Sequence, residues 1–205
     1  MPNLKLHQLR VAAVASLICD NLKRPVNKND VTLACLFHDM GNILKMNLGT
    51  FPPFLEPEGL EYWENVKSEF LEQYGNNAHK ANVVIAKKIG LDSTVIDLID
   101  GISFSNIEKI VANNSFEQKV CEYADTRVGP HGVLPLKGRL REARERYAAA
   151  NSDKIYYTEE GFRALVQHAE EIENQVFTEC RIKPEDISDV TVGPLMEELR
   201  NYPVA

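Results

Sequence analysis

Three histidines fall at positions where the helical pattern of this sequence otherwise places apolar side chains. His7, His38 and His79 each share a predicted helix face with hydrophobic residues. An imidazole there costs stability unless its ring nitrogens find partners. One such histidine alone is most simply a core residue hydrogen-bonded to a backbone carbonyl. Three together favour a shared explanation, because imidazole nitrogens bind divalent first-row metals.

Two carboxylates accompany these histidines. Asp39 directly follows His38 at a predicted helix end, where the tightening helix lets both side chains turn inward. Asp125 lies four residues after Cys121, on the inward face of its own predicted helix. Helices from distant parts of a chain can converge on one ion. We therefore predict a metal site built from His7, His38, Asp39 and Asp125.

The order of these groups resembles that of the HD metal-dependent phosphohydrolase superfamily. His7, the run His38-Asp39-Met40-Gly41 and the pair Ala124-Asp125 follow one another on a helical chain, as they do in that superfamily. The runs NNAHKANVVIAKKIGL and YADTRVGPHGVLPLKGRLREARERY also look like segments of uncharacterised bacterial members. The resemblance covers roughly residues 4 to 147.

The resemblance implies one divalent metal ion, which could be Mn, Fe, Co, Ni or Mg, held by the four predicted ligands. Water at its open positions would have a lowered pKa and could attack phosphorus near neutral pH. Asp39 would be a catalytic residue as well as a ligand, because it would orient that water. His79 would be a second catalytic residue, acting as a general acid. The alternatives for His79 are an extra ligand, a structural role or a substrate contact.

The sequence departs from the superfamily pattern at two places. Many members have a lysine soon after the HD pair, whereas this chain has Asn42. Lys45, one helical turn later, is therefore the predicted phosphate contact. Members with two metals carry a further histidine on the helix after the His79 segment, where this chain reads LIDGISFSN. A site for a single metal is therefore predicted.

Basic residues near Asp125 suggest a further substrate contact. Arg127 lies two residues after Asp125 and is predicted to bind a substrate phosphate through its planar guanidinium. A surface salt bridge is the alternative. The run KGRLREARER at residues 137–146 could steer anions, although a solvated helix with internal Glu–Arg pairs is the more common meaning of such a run.

Helical periodicity predicts the elements that position these groups. Apolar residues recur on one face of residues 7–22, and Asn27 or Asn29 is predicted to cap a second helix that ends at Met40-Gly41. A loop or lid is predicted at the Pro- and Gly-rich residues 49–60. The remaining predicted helices cover residues 60–74, 79–90, a segment from Ser93 or Thr94, 115–128, 136–150, 159–180 and 184–199.

No stretch alternates as a strand would, so the predicted fold is all-α, a single-domain helical bundle of HD-domain type. Residues 1–150 are predicted to form the HD metal-binding helical domain. Residues 151–205 are predicted to be a C-terminal helical extension packed on the same domain.

Composition narrows the function classes. Of the 205 residues, 44% are hydrophobic, which is typical of a globular protein. The formal net charge of −7 opposes nonspecific binding to nucleic acid. The four cysteines are far apart and are predicted to be reduced core residues. No apolar segment is long enough to span a bilayer. We therefore predict a cytoplasmic protein that binds neither nucleic acid nor a membrane; the sequence makes no prediction of oligomeric state.

Together these expectations predict a metal-dependent phosphohydrolase that acts on a small phosphorylated compound such as a nucleotide. One alternative is a catalytically weak HD-fold sensor or signalling module that binds a nucleotide or a partner protein. Asn42 and the missing additional histidine support that alternative. Another alternative is an HD lyase or oxygenase-like variant, which would need two irons and is disfavoured by the ligand count.

Overall fold

A computed structural model of the chain describes residues 1–50, 55–151 and 158–204. Within these ranges the chain forms ten α-helices and no β-strand, and two isolated backbone bridges are the only strand-like pairings. The predicted all-α fold is therefore confirmed. The prediction of a loop or lid at residues 49–60 falls partly on residues 51–54, which lie outside the described ranges.

The helices are numbered α1 to α10 along the chain. In order they are α1 Pro2–Asn21, α2 Lys28–Phe37, α3 Leu60–Tyr74, α4 Ala78–Lys88, α5 Ser93–Gly101, α6 Ile107–Ala112, α7 Phe116–Arg127, α8 Leu136–Asn151, α9 Glu159–Thr178 and α10 Asp189–Leu199. Short 3-10 helices lie at Asn42–Lys45, Leu48–Thr50, Phe104–Asn106 and Pro184–Asp186. Helix α6 is the one α-helix among the described residues that the sequence pattern did not predict, and the 3-10 helices were not predicted either.

Side-chain caps fix where several helices begin. Of the two asparagines considered for α2, Asn27 is the cap, because its side chain accepts a hydrogen bond from the Asp30 amide at 3.2 Å. The predicted end of α2 at Met40-Gly41 is wrong, since the helix stops at Phe37. The Gly41 amide donates to the Asn82 side chain at 2.6 Å and not to the helical acceptor four residues back.

A large apolar core joins the helices that carry the predicted metal ligands. Helix α1 packs against α2, α7 and α10, and α2 also packs against α5 and α7. Val14, Ile18, Val31 and Val120 are fully buried in this core. Each buried side chain of this size contributes about 1.5–3 kcal/mol. The core therefore holds α1, α2 and α7 in fixed relative positions.

A second, smaller apolar cluster lies beside the first. It contains the buried residues Ile43, Leu44 and Leu48 and the beginning of α4. Trp63 of α3 packs against these residues. The indole Nε1 of Trp63 donates to the Leu55 carbonyl at 3.0 Å. Helix α3, which is described throughout, has no fully buried residue. It is attached through one partly buried face only.

The C-terminal helices pack on the same core. Helix α10 contacts α1, and α9 contacts α6, α7 and α8. Arg10 on α1 forms an ion pair with Asp189 at the start of α10, with Nε and Oδ1 2.9 Å apart. The boundary proposed at residue 150 stays a prediction. Among the described residues, no helix has both the length and the hydropathy to cross a membrane.

Candidate metal centre

Helices α1, α2 and α7 bring four polar side chains to one point. His7 lies on α1, His38 and Asp39 follow the last residue of α2, and Asp125 lies near the end of α7. The His7 Nε2 atom is 3.6 Å from Asp39 Oδ2 and 3.2 Å from Asp125 Oδ1. The His38 Nε2 atom is 3.6 Å from Asp39 Oδ2 and 3.4 Å from Asp125 Oδ1. The structure thus brings together all four residues that the sequence singled out as ligands.

His38 is the most deeply buried of the four, with 2% of its side chain exposed. Its Nδ1 donates to the Cys35 carbonyl at 2.8 Å, since a carbonyl can only accept, and this bond fixes the ring. Its Nε2 has no partner with hydrogen-bond geometry among the described residues, although both carboxylates lie within ion-pair distance. A buried polar atom left in this way costs about 1–3 kcal/mol. A bound cation would satisfy it.

The donor set fits a divalent metal. One potential ligand atom from each of His7, His38 and Asp39 lies within 4.8 Å of the other two. Asp125 joins this group through the contacts of its Oδ1 with both imidazoles. Two nitrogen and two oxygen donors suit first-row divalent metals. The role of the four residues as ligands stays a prediction.

Charges within the cluster shift its titration. Burial of the His38 ring acts to lower its pKa, but the carboxylates of Asp39 and Asp125 outweigh burial and raise the pKa to about 10. Burial acts to raise the pKa of Asp125, but His38 and His7 hold it well below its ordinary value. The two carboxylates thus favour positive charge between them. A metal ion must displace the proton of His38 in order to bind.

The family model of the HD domain matches residues 6–126, which are more than half of the 205-residue chain. The chain belongs to the HD-domain family. The match contains all four residues of the cluster, so the superfamily resemblance drawn from the sequence is confirmed. HD domains bind divalent metals, and most are metal-dependent phosphohydrolases. No curated protein and no solved structure shows significant similarity to the chain.

Glu122 is a buried carboxyl of this HD domain that the sequence predictions missed. It lies on α7 one turn before Asp125, and its Oε2 accepts a hydrogen bond from the Ser103 amide at 2.9 Å. Burial and the charge of Asp125 raise the pKa of Glu122 to about 8, although the Ser103 amide and His38 oppose that shift. Its spacing of three residues from Asp125 places both on one helix face. That spacing was the signal that could have revealed it.

Glu122 makes the stability of the metal-free HD domain depend on pH. Its pKa rises from the ordinary value of 4.5 to about 8 on folding, so the folded protein holds the proton more tightly. The stability that this proton contributes is fully present below pH 4.5 and is lost as the pH rises through 8. We expect Glu122→Gln to flatten the pH dependence of unfolding over this range, where the wild type loses about 2–4 kcal/mol.

Urea unfolding in the presence of a chelator, at intervals from pH 5 to about pH 10, would measure this effect. His38 provides an internal control, because its pKa rises from 6.5 to about 10 and its own loss of stability continues over that higher interval in both proteins. Equal slopes for the wild type and Glu122→Gln below pH 8 would contradict the expectation.

His79 shares a face of α4 with the buried Ala86 but lies at its partly exposed end, so its ring is not buried among apolar residues as the sequence indicated. The side chain lies in the first turn of α4 and is 39% exposed. Its Nε2 is 2.9 Å from Asp100 Oδ1 on α5. The contact is therefore with a surface carboxylate, and the catalytic role of His79 stays a prediction.

Arg127 is buried, and the prediction that it contacts substrate phosphate is corrected. The residue is 3% exposed, and its guanidinium donates to the carbonyls of Leu134, Pro184 and Ile187. It also donates to the Tyr123 hydroxyl. These hydrogen bonds use the guanidinium to join the end of α7 to the segment before α10. The role of Arg127 is therefore structural.

Lys45 is exposed at the end of the 3-10 helix that follows the HD pair. It borders a cavity of about 380 Å³ whose lining also includes Lys67 and Glu64 of α3. Lys67 donates to the Met46 carbonyl at 2.6 Å, which holds its ammonium beside the cavity. Sequence reasoning missed Lys67 because only the packing of α3 brings it near Lys45.

Proposed function

We propose that this HD protein is a metal-dependent phosphohydrolase that acts on a small phosphorylated compound such as a nucleotide. The observation that carries the proposal is the buried His38 Nε2, which lacks a hydrogen-bond partner among the described residues and lies between two carboxylates and a second imidazole. Membership of a family in which most proteins are metal-dependent phosphohydrolases supports the reaction class.

The four residues of the proposed centre would supply two kinds of metal ligand. His7 and His38 would offer neutral nitrogens, and Asp39 and Asp125 would offer negatively charged oxygens. A divalent ion held there would supply the positive charge that activates water and neutralises a phosphoryl group. The carboxylates of Asp39 and Asp125 remain 16% and 24% exposed, so the cluster is open to solvent on their side. Asp39 would orient the attacking water from that side.

His79 is the proposed proton donor to the leaving group. Asp100 Oδ1 lies 2.9 Å from its Nε2, so this carboxylate can orient the imidazole ring. The carbonyl of the preceding residue, Ala78, lies close against Gly41, which is two residues after Asp39. His79 therefore directly follows a residue whose backbone lies close to the turn after His38 and Asp39. Partial exposure leaves its ring accessible to a substrate.

Lys45 and Lys67 are the proposed contacts for substrate phosphate. Both border the same cavity, and ammonium groups attract phosphate as point charges. Glu64 lies on the same lining and would oppose more negative charge. Such a cavity suits a small phosphorylated molecule with an uncharged portion beside Glu64.

A sensor or signalling module is the second candidate function. Asn42 favours it, because this residue stands where many family members have lysine and is only 5% exposed. A buried amide at that position cannot bind substrate phosphate as an exposed lysine would. A sensor would bind a nucleotide and return it unchanged.

Phosphate release over a panel of nucleotides and sugar phosphates, each with Mn, Co, Ni, Fe and Mg, tests the proposal. We expect turnover with at least one metal, and a loss of about hundredfold or more in Asp39→Ala. Glu108→Ala, which changes an exposed carboxylate of α6, is the matched control and should keep full activity. Thermal stabilisation by a nucleotide without its conversion would instead support the sensor. Turnover that persists in Asp39→Ala would overturn the proposed centre.

A further inference from the structure

We propose that Asn82 is a positioning residue for the metal centre, because its side chain holds the turn that carries Asp39. This inference rests on the proposed metal centre. Asn82 lies on α4 and is 5% exposed. Its Oδ1 accepts a hydrogen bond from the Gly41 amide at 2.6 Å. A residue outside the ligand set thus reaches the backbone two residues from Asp39.

The backbone around Gly41 is pressed against α4. A Cβ atom at Gly41 would lie 2.7 Å from the Ala78 carbonyl oxygen and 2.7 Å from the Ala81 Cβ. Both neighbours are rigid parts of α4, so a side chain at this position would force the turn and the helix apart. The φ of −90° at Gly41 is open to any residue. Close approach to α4, and not backbone conformation, is therefore the reason that glycine fits here.

Two hydrogen bonds fix the backbone on the C-terminal side of Asp39. The Asn42 amide donates to the Asp39 carbonyl at 3.0 Å, and the Gly41 amide donates to Asn82. Helix α2 has already ended at Phe37, so the regular helical bonds no longer determine where the Asp39 carboxylate points. Asn82 supplies that constraint from a neighbouring helix. Groups that orient a metal ligand in this way commonly change metal affinity when they are removed.

Titration of the metal-free 205-residue chain with Co²⁺, followed by its visible absorption, tests the role of Asn82. We expect Asn82→Ala to weaken Co²⁺ binding about ten- to hundredfold and to change the absorption spectrum of the bound ion. Asn82→Leu, which fills a similar volume without an acceptor, should show the same loss. Asn82→Asp keeps an oxygen acceptor for the Gly41 amide and should bind Co²⁺ within about threefold of the wild type.

Ser16→Ala is the matched control for lost stability alone. Ser16 and Thr32 form a buried side-chain hydrogen bond of 3.1 Å between α1 and α2. Its removal should lower the melting temperature as Asn82→Ala does, but leave Co²⁺ affinity and spectrum within about twofold of the wild type. If Asn82→Ala fails to fold, Asn82→Leu provides the comparison.

Wild-type affinity and spectrum in Asn82→Ala or Asn82→Leu would overturn the role of Asn82 while leaving the metal centre intact. Equal loss of affinity in Ser16→Ala would also overturn it, because the effect would then follow stability. A wild-type protein that takes up no Co²⁺ would remove the metal centre itself, and the positioning role with it. The proposed centre and the proposed role of Asn82 therefore fail with different patterns.

Discussion

Replacement of Asp125 by alanine is expected to weaken divalent-metal binding by about hundredfold or more. The Oδ1 atom of Asp125 is 3.2 Å from His7 Nε2 and 3.4 Å from His38 Nε2, so one side chain contacts both imidazoles of the cluster. Its loss removes a proposed ligand and a negative charge that helps the site accept a cation. Changes to residues that merely orient ligands already cost about ten- to hundredfold.

Metal analysis of protein purified without chelators, together with Co²⁺ titration, would measure the effect of Asp125→Ala. Asp97→Ala, which removes an exposed carboxylate of α5, is the matched control and should retain the wild-type metal content. Far-ultraviolet circular dichroism on both variants would show that the helices remain folded. A full complement of metal in folded Asp125→Ala would exclude Asp125 as a ligand.

Replacement of Arg127 by alanine is expected to lower the free energy of unfolding by about 3–5 kcal/mol. The guanidinium donates to three backbone carbonyls, those of Leu134, Pro184 and Ile187, and to the Tyr123 hydroxyl. Alanine would leave these buried acceptors without their donor. Arg127→Lys should also destabilise the protein, because an ammonium cannot reproduce the planar fork of the guanidinium.

Urea unfolding of the metal-free protein would measure this loss. Arg200→Ala is the control, because the Arg200 side chain forms an exposed ion pair with Glu197, and its removal should change stability little. Wild-type stability in Arg127→Ala, accompanied by a raised KM for a phosphorylated substrate, would instead restore the original prediction that Arg127 binds phosphate.

The metal cluster could be predicted from the sequence because its residues are polar at positions where the helical pattern predicts apolar side chains. His7, His38 and Asp125 interrupt apolar faces, and that conflict is visible without any tertiary information. Their distances could not be predicted, because they depend on how α1, α2 and α7 pack. The helix bounds were predictable where a cap marks them, as Ser115 does for α7.

The error at Arg127 and the omission of Glu122 have the same geometric cause. Residues two apart on a helix do not share a face, so Arg127 points away from Asp125. Glu122 lies three residues before Asp125 and therefore shares its face. Two residues that are close in sequence on a helix can therefore face different surroundings in the fold. Asn82 could not be identified from the sequence in this way, because its Oδ1 accepts a hydrogen bond from Gly41, which is 41 residues away along the chain. Only the fold brings the two residues together.

The packing of α10 against α1 has a consequence for the biosynthesis of this protein. Arg10 is made early by the ribosome and its partner Asp189 much later, yet the two form an ion pair beside the helix that carries His7. Contacts between such distant parts of a chain form slowly, because a long loop must close first. The contact between α10 and α1 therefore forms only after the helices between them have been made, whereas α1, α2 and α7 can pack against one another earlier.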